Sequence, residues 1–248
     1  MSILELKNVT KTYNDYSVVN DFNFSVNEGE LRCLLGPNGA GKTTSIDLIT
    51  GRQKLTSGKI HFNGTDISKL PERKIVNLGV GRKFQVPAVF KELTVRENFE
   101  VAYSNKKLGP FQNMNPFRKI KSSSRFYEII ELVSLHDRLD SYAGYLSHGQ
   151  TQWLEIGMVL MQNPKLLLMD EPTAGMTEQE TEKTSELFKS LKGDHTLVVV
   201  EHDMSFVRSI ADVISVMHQG SMLAEGTINE IENHQKVKEV YLGSEGIN

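Results

Sequence analysis

The stretch GPNGAGKTT, residues Gly36–Thr44, follows the apolar run Leu31–Leu35 and fits the pattern G-x-x-x-x-G-K-[ST] at every position. Apolar residues at Ile46, Leu48 and Ile49 come next, so the order predicts a strand, a glycine-rich turn and a helix. Glycines let the backbone curl until successive N–H groups face one anion, and a helix start adds unpaired donors and the positive end of its dipole. The stretch therefore predicts a phosphate-binding loop.

Two side chains of this loop suit a nucleotide. Lys42 can reach β- and γ-phosphates as a point charge, and the Thr43 hydroxyl can complete a Mg²⁺ shell that otherwise takes phosphate oxygens and water. A plain surface turn is the alternative for any short glycine-rich motif. The preceding strand and the following helix favour the phosphate-binding interpretation.

Composition limits the remaining function classes. The 248 residues are 39% hydrophobic and 24% charged, as in an ordinary globular protein, and the net charge of −3 gives no general reason to expect nucleic-acid binding. The single cysteine, Cys33, lies in an apolar run and predicts a buried strand residue. Met1–Lys7 carries charges where a signal peptide needs an apolar segment, and no stretch approaches the ~18 apolar residues of a membrane span. We therefore expect a cytosolic protein.

Alternating apolar and polar residues predict a small antiparallel sheet of short strands around the loop. The alternation runs through Ile3–Val9 and Phe22–Val26, and Ser57–Gly64 adds a strand that ends in an Asn-Gly turn. Leu78–Phe84 predicts a further strand, which delivers Gln85 at its end. A glutamine there is commonly solvated, but its amide could also touch Mg²⁺ and an attacking water.

A helical region is expected from about Thr94. Thr94–Glu97 forms a capping box, and apolar residues from Phe126 to Val133 repeat at helical spacing. Residues 104–125 carry prolines, serines and cations, which favours a solvated loop over contact with a membrane partner or anionic lipid. Ser147–Gln150 forms a second capping box before a helix, where the Ser147 hydroxyl and the free N–H groups can cap the helix or bind an anion.

Two further apolar runs end in polar side chains. Leu166–Glu171 ends in Asp170, suited to bind Mg²⁺ through water, and Glu171, suited to polarise a water that attacks a γ-phosphate. Leu197–His202 is a second buried strand, whose terminal histidine is commonly structural but could hydrogen-bond a γ-phosphate. Parallel strands of this kind bind ligands at their carboxyl ends, so these groups are expected beside the phosphate-binding loop.

The motifs together resemble those of the ABC ATPases. Gly36–Thr44 looks like the Walker A motif, Gln85 like the Q-loop, Leu146–Gln150 like the signature, Leu166–Glu171 like the Walker B motif, and His202 like the switch histidine. The resemblance implies an α/β, ABC-type P-loop NTPase with a RecA-like core. It also implies an N-terminal antiparallel β subdomain with the first part of the core over 1–84, an inserted α-helical (signature) subdomain over 85–160, and the rest of the core with a C-terminal tail over 161–248.

Three segments narrow the resemblance. Ser147–Gly157, Ala174–Thr177 and Glu239–Gly243 look like the importer group for branched-chain amino acids and urea, and they are most similar to the urea importer's ATP-binding subunit. Transport of branched-chain amino acids is the alternative substrate assignment. A soluble ABC ATPase outside transport and a nucleotide-gated module without hydrolysis are weaker alternatives, and Glu171 and His202 argue against the second.

The resemblance implies an ATPase that uses ATP and Mg²⁺ and drives transmembrane transport. Two ATP-binding subunits, identical or related, would meet head to tail on two membrane-spanning permease subunits at the inner face of the cell membrane. A periplasmic or extracellular substrate-binding protein would take part indirectly. Nucleotide occupancy would open and close the subunit pair.

Residue roles follow from the same resemblance. The implied catalytic residues are Glu171, His202 and Gln85, and the implied metal-binding residues are Thr43, Gln85 and Asp170. The implied signature residues, which would act on ATP held by the opposite subunit, are Ser147, His148, Gly149 and Gln150. The implied ATP-binding residues, with Tyr13 stacking on adenine, are Tyr13, Gly36, Pro37, Asn38, Gly39, Ala40, Gly41, Lys42, Thr43 and Thr44.

Two positions depart from the family pattern. His148 replaces a glycine of the signature, which leaves Ser147 and Gly149 in place. Thr177 stands where aspartate is usual, so the carboxylate that communicates across the subunit pair is missing and no role is carried over to it.

Overall fold

A computed structural model describes residues 1–83, 89–103 and 124–245 of the chain. Gln85 and most of the basic segment 104–125 lie outside the described residues. The chain divides into two compact units, the first made of Met1–Arg82, Lys165–Pro172 and Phe188–Asn248, the second of Lys83–Pro164 and Thr173–Leu187. The subdomain limits after residues 84 and 160 stay a prediction, and the compact units differ from them by taking Thr173–Leu187 into the second unit.

The elements alternate between strands and helices along most of the chain. The strands are β1 (Ser2–Tyr13), β2 (Tyr16–Asn27), β3 (Leu31–Leu35), β4 (Ser57–Phe62), β5 (Thr65–Asp66), β6 (Val80–Lys83), β7 (Leu166–Asp170), β8 (Thr196–Val200), β9 (Val213–His218) and β10 (Ser221–Gly226). The described α-helices are α1 (Lys42–Ile49), α2 (Glu72–Leu78), α3 (Val95–Ala102), α4 (Ser124–Leu132), α5 (His148–Leu160), α6 (Glu178–Leu191), α7 (Met204–Ile210), α8 (Ile228–Asn233) and α9 (Gln235–Glu245).

An antiparallel sheet with the order β2-β1-β4-β5 confirms the prediction from alternating residues. Its first two strands are 12 residues each, longer than the alternation suggests. Register shifts, such as the one between Leu6 and Val9, carry the pairing past the breaks in the alternation. The predicted Asn-Gly turn joins β4 to β5, with positive φ at Asn63 and Gly64 as a tight hairpin turn requires.

The second sheet has the order β10-β9-β3-β8-β7-β6. Strand β3 runs parallel to β8 and β9, β7 runs parallel to β8, and β10 is antiparallel to β9. Every residue of β3, β7 and β8 is buried, which explains why their sequences are mostly apolar, with Arg32, Asp170 and Thr196 as the polar exceptions. The carboxyl ends of these three strands lie at one edge, so the sheet delivers Gly36, Glu171 and His202 to the same side of the first unit.

Residues of both sheets and of α1 form one apolar core in the first unit, and it includes Phe22, Ile46, Leu168 and Val198. Burying each such side chain contributes roughly 1.5–3 kcal/mol, so the core holds α1 firmly behind the phosphate-binding loop. Cys33 is fully buried in β3, as predicted, and burial raises the pKa of its thiol.

One predicted strand begins later than expected. Leu78 is the last residue of α2, not the first of a strand, and β6 begins at Val80. Gly79 separates the two elements with a φ of 110°, a left-handed conformation that ends helices without the strain a side chain would bring. Because apolar residues lie on both sides of Gly79, the hydrophobic pattern of the sequence does not show this boundary.

The second unit is built on helices, as predicted. Thr94 and Glu97 form a complete capping box at the start of α3, and Ser147 and Gln150 form one at the start of α5. Gly157 of α5 lets Phe99 of α3 approach closely, because a Cβ at Gly157 would stand 2.6 Å from the Phe99 ring. None of the helices in the described ranges combines the length and the hydrophobicity that crossing a membrane requires.

Candidate active site

The phosphate-binding loop lies tightly against neighbouring backbone. A Cβ at Gly36 would stand 2.2 Å from the carbonyl oxygen of Met217 in β9, and a Cβ at Gly41 would stand 2.7 Å from that of Val18 in β2. Both glycines also have positive φ, 153° and 100°. Space and backbone conformation therefore both require glycine at these two positions.

Helix α1 starts without a side-chain cap. Its N-cap residue is Gly41, which has no side chain to accept a hydrogen bond, and its first turn contains no acidic residue. Helices α3, α5 and α7 differ, because Thr94, Ser147 and Asp203 cap them. The N–H groups and the positive dipole end at the start of α1 are therefore available to an external anion.

Lys42 fills the loop from within. Its side chain is 9% exposed, and Nζ donates hydrogen bonds to the carbonyl oxygens of Gly36 at 2.6 Å and Pro37 at 3.1 Å. Burial lowers the pKa of the ammonium group, while Glu171 and Asp170 act to raise it. A buried ammonium held mainly by carbonyl groups gains from a phosphate, which supplies full negative charge.

Asp170 ends β7 as a nearly inaccessible carboxylate. Neither oxygen accepts a hydrogen bond of regular geometry from the described residues, and the nearest cation is Arg82, whose Nη2 is 3.7 Å away. Burial raises the pKa of Asp170, the charge of Arg82 lowers it, the charge of Glu171 raises it, and the Thr43 hydroxyl lowers it. Arg82 also pairs with Asp47 of α1, which ties β6 to that helix.

These groups fit a divalent cation. The buried carboxylate of Asp170 and the exposed hydroxyl of Thr43, which acts on its pKa, offer oxygen ligands of the kind Mg²⁺ prefers. Among the described residues, no group of three or more His, Cys, Asp or Glu side chains could hold a metal by itself. Two protein ligands match the way Mg²⁺ usually reaches a protein, with most of its shell left to phosphates and water.

Glu171 follows in a conformation that few residues adopt. Its φ is 47°, and its N–H donates to the carbonyl of Val200 at the end of β8, at 2.9 Å. Left-handed backbone at a residue other than glycine costs about 1–3 kcal/mol and is concentrated at functional sites. Here it turns the carboxylate at the end of β7 into the space beside Lys42 and Asp170, both of whose pKa values it influences.

His202 lies next to Glu171. Its Nδ1 is 3.7 Å from Glu171 Oε1 and 3.8 Å from Glu201 Oε2, and the ring is largely exposed. These distances are too long for hydrogen bonds but allow one after a small rotation. An exposed imidazole beside a partly buried carboxylate can reach a ligand at the sheet edge and keep the carboxylate oriented.

Tyr13 ends β1 with a half-exposed ring, 42% accessible. The ammonium of Lys11 lies 4.5 Å from the ring centre, so one part of the aromatic surface already carries a cation–π contact. Base stacking by Tyr13 stays a prediction.

The signature residues lie in the second unit. Ser147 Oγ accepts from the Gln150 N–H at 3.1 Å and donates to Glu180 Oε1 at 3.0 Å. His148 Nε2 lies 2.9 Å from the carbonyl oxygen of Ala174, so the side chain that departs from the family pattern holds the turn before α6. Gly149 is buried beneath Glu180, since a Cβ there would stand 2.4 Å from the carboxyl carbon.

The structure thus groups Lys42, Thr43, Asp170, Glu171 and His202 within the first unit, and the four signature residues within the second. Sequence reasoning missed two side chains at these places. Arg82, the buried cation beside Asp170, had no signal except its position in a predicted strand. Glu180 was visible as the last residue of the pattern Thr177–Glu180, which predicts a helix cap and does not reveal the contact with Ser147.

Comparison with known proteins agrees with this geometry. The family model described as "ABC transporter" matches residues 19–174. The high-affinity branched-chain amino acid transport ATP-binding protein BraF of Pseudomonas aeruginosa is 38% identical, with 97% of this chain and 98% of that protein covered. The probable branched-chain amino acid transport ATP-binding protein LivG of Archaeoglobus fulgidus is 36% identical, with 99% and 97% covered.

Solved structures agree as well. The ADP conformation of MJ1267, an ATP-binding cassette of an ABC transporter, superposes with a TM-score of 0.85 at 31% identity, over 98% of this chain and 99% of that one. The dimeric post-hydrolysis state of the cassette MJ0796, bound to ADP and Pi, superposes with a TM-score of 0.77 at 27% identity, over 91% and 98%. The fold is thus that of an ABC ATP-binding cassette, and the predicted α/β class with its antiparallel and parallel sheets is confirmed. The chain therefore belongs to the ABC transporter family, as an ATPase subunit of its branched-chain amino acid (Liv) group, with ATP hydrolysis coupled to transport.

Proposed function

We propose that this chain binds Mg²⁺-ATP at Gly36–Thr44 and energises an importer of branched-chain amino acids. The observation that carries the nucleotide site is the combination at one sheet edge of an uncapped helix start, a buried ammonium and a buried carboxylate that accepts no hydrogen bond of regular geometry from the described residues. Each is unfavourable in the free protein, and Mg²⁺ with a polyphosphate would relieve all three.

The residues divide the work in a definite way. Backbone N–H groups of the loop and Lys42 would hold the phosphates, and Thr43 with Asp170 would hold Mg²⁺, which neutralises charge on the phosphates when bound. Glu171 would take a proton from the attacking water, and His202 would support the γ-phosphate. Gln85 is proposed as a further metal and water ligand on the resemblance alone, because it lies outside the described residues.

Glu171→Gln tests this division. The variant should hydrolyse ATP about 10²–10⁴-fold more slowly with ATP affinity retained, because only the proton acceptor is lost. Phosphate release and calorimetric ATP binding measure the two quantities separately. Glu178→Gln, at the exposed start of α6, is the matched control and should leave both unchanged. Unchanged turnover in Glu171→Gln would remove Glu171 from the mechanism.

Branched-chain amino acids are the favoured substrate because both relatives described above carry names of branched-chain amino acid transport and align over nearly the whole chain. The sequence resemblance to the urea importer, carried by Ser147–Gly157, Ala174–Thr177 and Glu239–Gly243, keeps urea as the second candidate. Uptake of labelled leucine and labelled urea, compared between wild-type cells and a deletion strain, separates them. Loss of urea uptake with leucine uptake intact would reverse the assignment.

The proposal includes partners and a location. A second ATP-binding subunit, a copy or a related chain, would close each nucleotide site through its signature residues, as the dimeric state of the similar cassette MJ0796 suggests. Two permease subunits would hold the pair at the inner face of the cell membrane, and a substrate-binding protein would deliver the cargo. Co-purification of a tagged chain with integral membrane proteins tests the permease contact. Recovery of the chain without any membrane protein would contradict it.

A further inference from the structure

Glu180 does more than cap a helix. Its Oε2 accepts hydrogen bonds from the Thr177 N–H at 3.0 Å and the Thr177 hydroxyl at 3.1 Å, which completes the cap of α6. Its Oε1 is left over for another partner and accepts from the Ser147 hydroxyl at 3.0 Å. The two oxygens of one carboxylate therefore connect the start of α6 to the start of α5.

The described part of the chain holds two other capping boxes of a threonine with a glutamate, at Thr94–Glu97 and Thr227–Glu230. In each, the glutamate accepts from the N–H and the hydroxyl of its own threonine. Glu180 differs by its contact with Ser147. Capping alone does not require that contact, so the contact calls for its own explanation.

The contact places a negative charge at the start of α5, the helix that Ser147 caps. A Cβ at Gly149 would stand 2.4 Å from the Glu180 carboxyl carbon, so the carboxylate lies directly over the first turn of α5. The Thr177 N–H holds the pKa of Glu180 below its usual range against the opposing effect of burial, and the Ser147 hydroxyl lowers it further. The group is therefore an anion at neutral pH, at a helix start where anions are stabilised.

A hydroxyl has one proton to donate. While Ser147 donates it to Glu180, it cannot donate it to a phosphate oxygen, and the carboxylate repels any second anion that approaches. His148 keeps Glu180 in reach, because its contact with Ala174 holds the turn that leads into Thr177.

We propose that Glu180 is a positioning residue that keeps the Ser147 hydroxyl in a hydrogen bond with its own carboxylate. An anion then binds at the start of α5 only after the Ser147 hydroxyl turns away from Glu180. In the proposed function, on which this inference rests, that anion is the γ-phosphate of ATP held by the partner subunit. Glu180 then raises the ATP concentration that is needed for two subunits to dimerise. It sets this threshold without touching the reacting atoms.

The test measures ATP-driven dimerisation by sedimentation velocity in a Glu171→Gln parent, which retains ATP. Glu180→Gln removes the charge while keeping a side chain that can complete a capping box, as Gln150 does for Ser147. It should lower the ATP concentration for half-maximal dimer about two- to fivefold, the range expected for an accessible charge interaction. Glu230→Gln, the matched capping-box variant, should not change it. A purely structural Glu180 would instead weaken the dimer.

Two further variants complete the test. Glu180→Ala should also lower the ATP requirement, and in a Ser147→Ala background Glu180→Gln should lose most of its effect. An ATP requirement that is unchanged or raised in Glu180→Gln and Glu180→Ala, with the parent still dimerising, would overturn the inference alone. A parent that binds ATP but never dimerises would overturn the closure by a second copy in the proposed function, and the inference with it.

Discussion

The sequence predicts an anion at two helix starts, and the two are built in opposite ways. Helix α1 has Gly41 as its N-cap residue, with no side-chain cap and no acidic residue in its first turn. Helix α5 begins with a complete capping box, and the Glu180 carboxylate lies over its first turn. The first start is open to an external anion, while the second is satisfied by the chain itself.

In the proposed function, this difference separates two kinds of phosphate site. An open start with a buried Lys42 is organised before the ligand arrives, so the free subunit should bind nucleotide well. A closed start has to break internal hydrogen bonds first, so its ligand is bound only when other contacts supply the free energy. One chain can therefore hold ATP as a monomer and still require a second subunit for efficient hydrolysis.

The largest effect should come from adding a methyl group at the open start. Gly36→Ala would press Cβ against the Met217 carbonyl, which is backbone and cannot move aside, so the free energy of unfolding should fall by about 3 kcal/mol. Gly149→Ala meets only the movable Glu180 side chain and gains helix propensity, so it should stay within about 1 kcal/mol of wild type. Urea unfolding measures both. Equal losses would contradict the contrast between fixed and movable neighbours.

Removing the ammonium should come next. Lys42→Ala should weaken ATP binding by about 10–100-fold, because charge-assisted hydrogen bonds contribute roughly 1.5–3 kcal/mol. Lys192→Ala is the control, since Lys192 lies at the surface and pairs with Asp212. Calorimetric titration with ATP gives both affinities. Wild-type affinity in Lys42→Ala would show that the loop does not bind nucleotide as proposed.

A smaller effect is expected from removing the cap of the closed start. Ser147→Ala should lower the free energy of unfolding by about 1 kcal/mol, the usual contribution of an N-cap hydroxyl. Thr94→Ala, at the matched capping box of α3, should cost a similar amount. Urea unfolding of both variants is the measurement. No loss in Ser147→Ala, with a normal loss in Thr94→Ala, would mean that the Ser147 contacts add nothing to stability.

The smallest effect should be a gain in stability at Asp170. Burial raises its pKa above the ordinary value of 3.8, so the ionised form is disfavoured in the folded protein. The free energy of unfolding therefore falls as pH rises through the raised pKa. Asp170→Asn does not undergo this loss, because asparagine does not titrate. The variant should be more stable than wild type at neutral pH, and the difference should disappear below about pH 3.8. Acid and neutral urea unfolding measure it, and a destabilised variant at neutral pH would contradict the sign.

Local pattern predicted the fold well wherever one physical rule acted alone. Runs such as Leu166–Met169 lie in buried strands because only a sheet covered on both faces accepts four apolar residues in succession. Thr94–Glu97 caps a helix because both reciprocal hydrogen bonds lie within four residues. The prediction for Leu78 was wrong because a helix and a strand meet at Gly79 with apolar residues on both sides. The hydrophobic pattern therefore does not show where the helix ends and the strand begins.

The sequence by itself determined the class of the protein, its strands and caps, and most of the side chains proposed to handle phosphate and metal. These features depend on the spacing of residues within short segments, and that spacing can be read directly from the sequence. Tertiary structure decided which polar groups are satisfied. Arg82 reaches Asp170, and Glu180 reaches Ser147 across 33 positions, through folding that no local pattern encodes. For that reason only the structure distinguishes the open helix start at α1 from the closed one at α5.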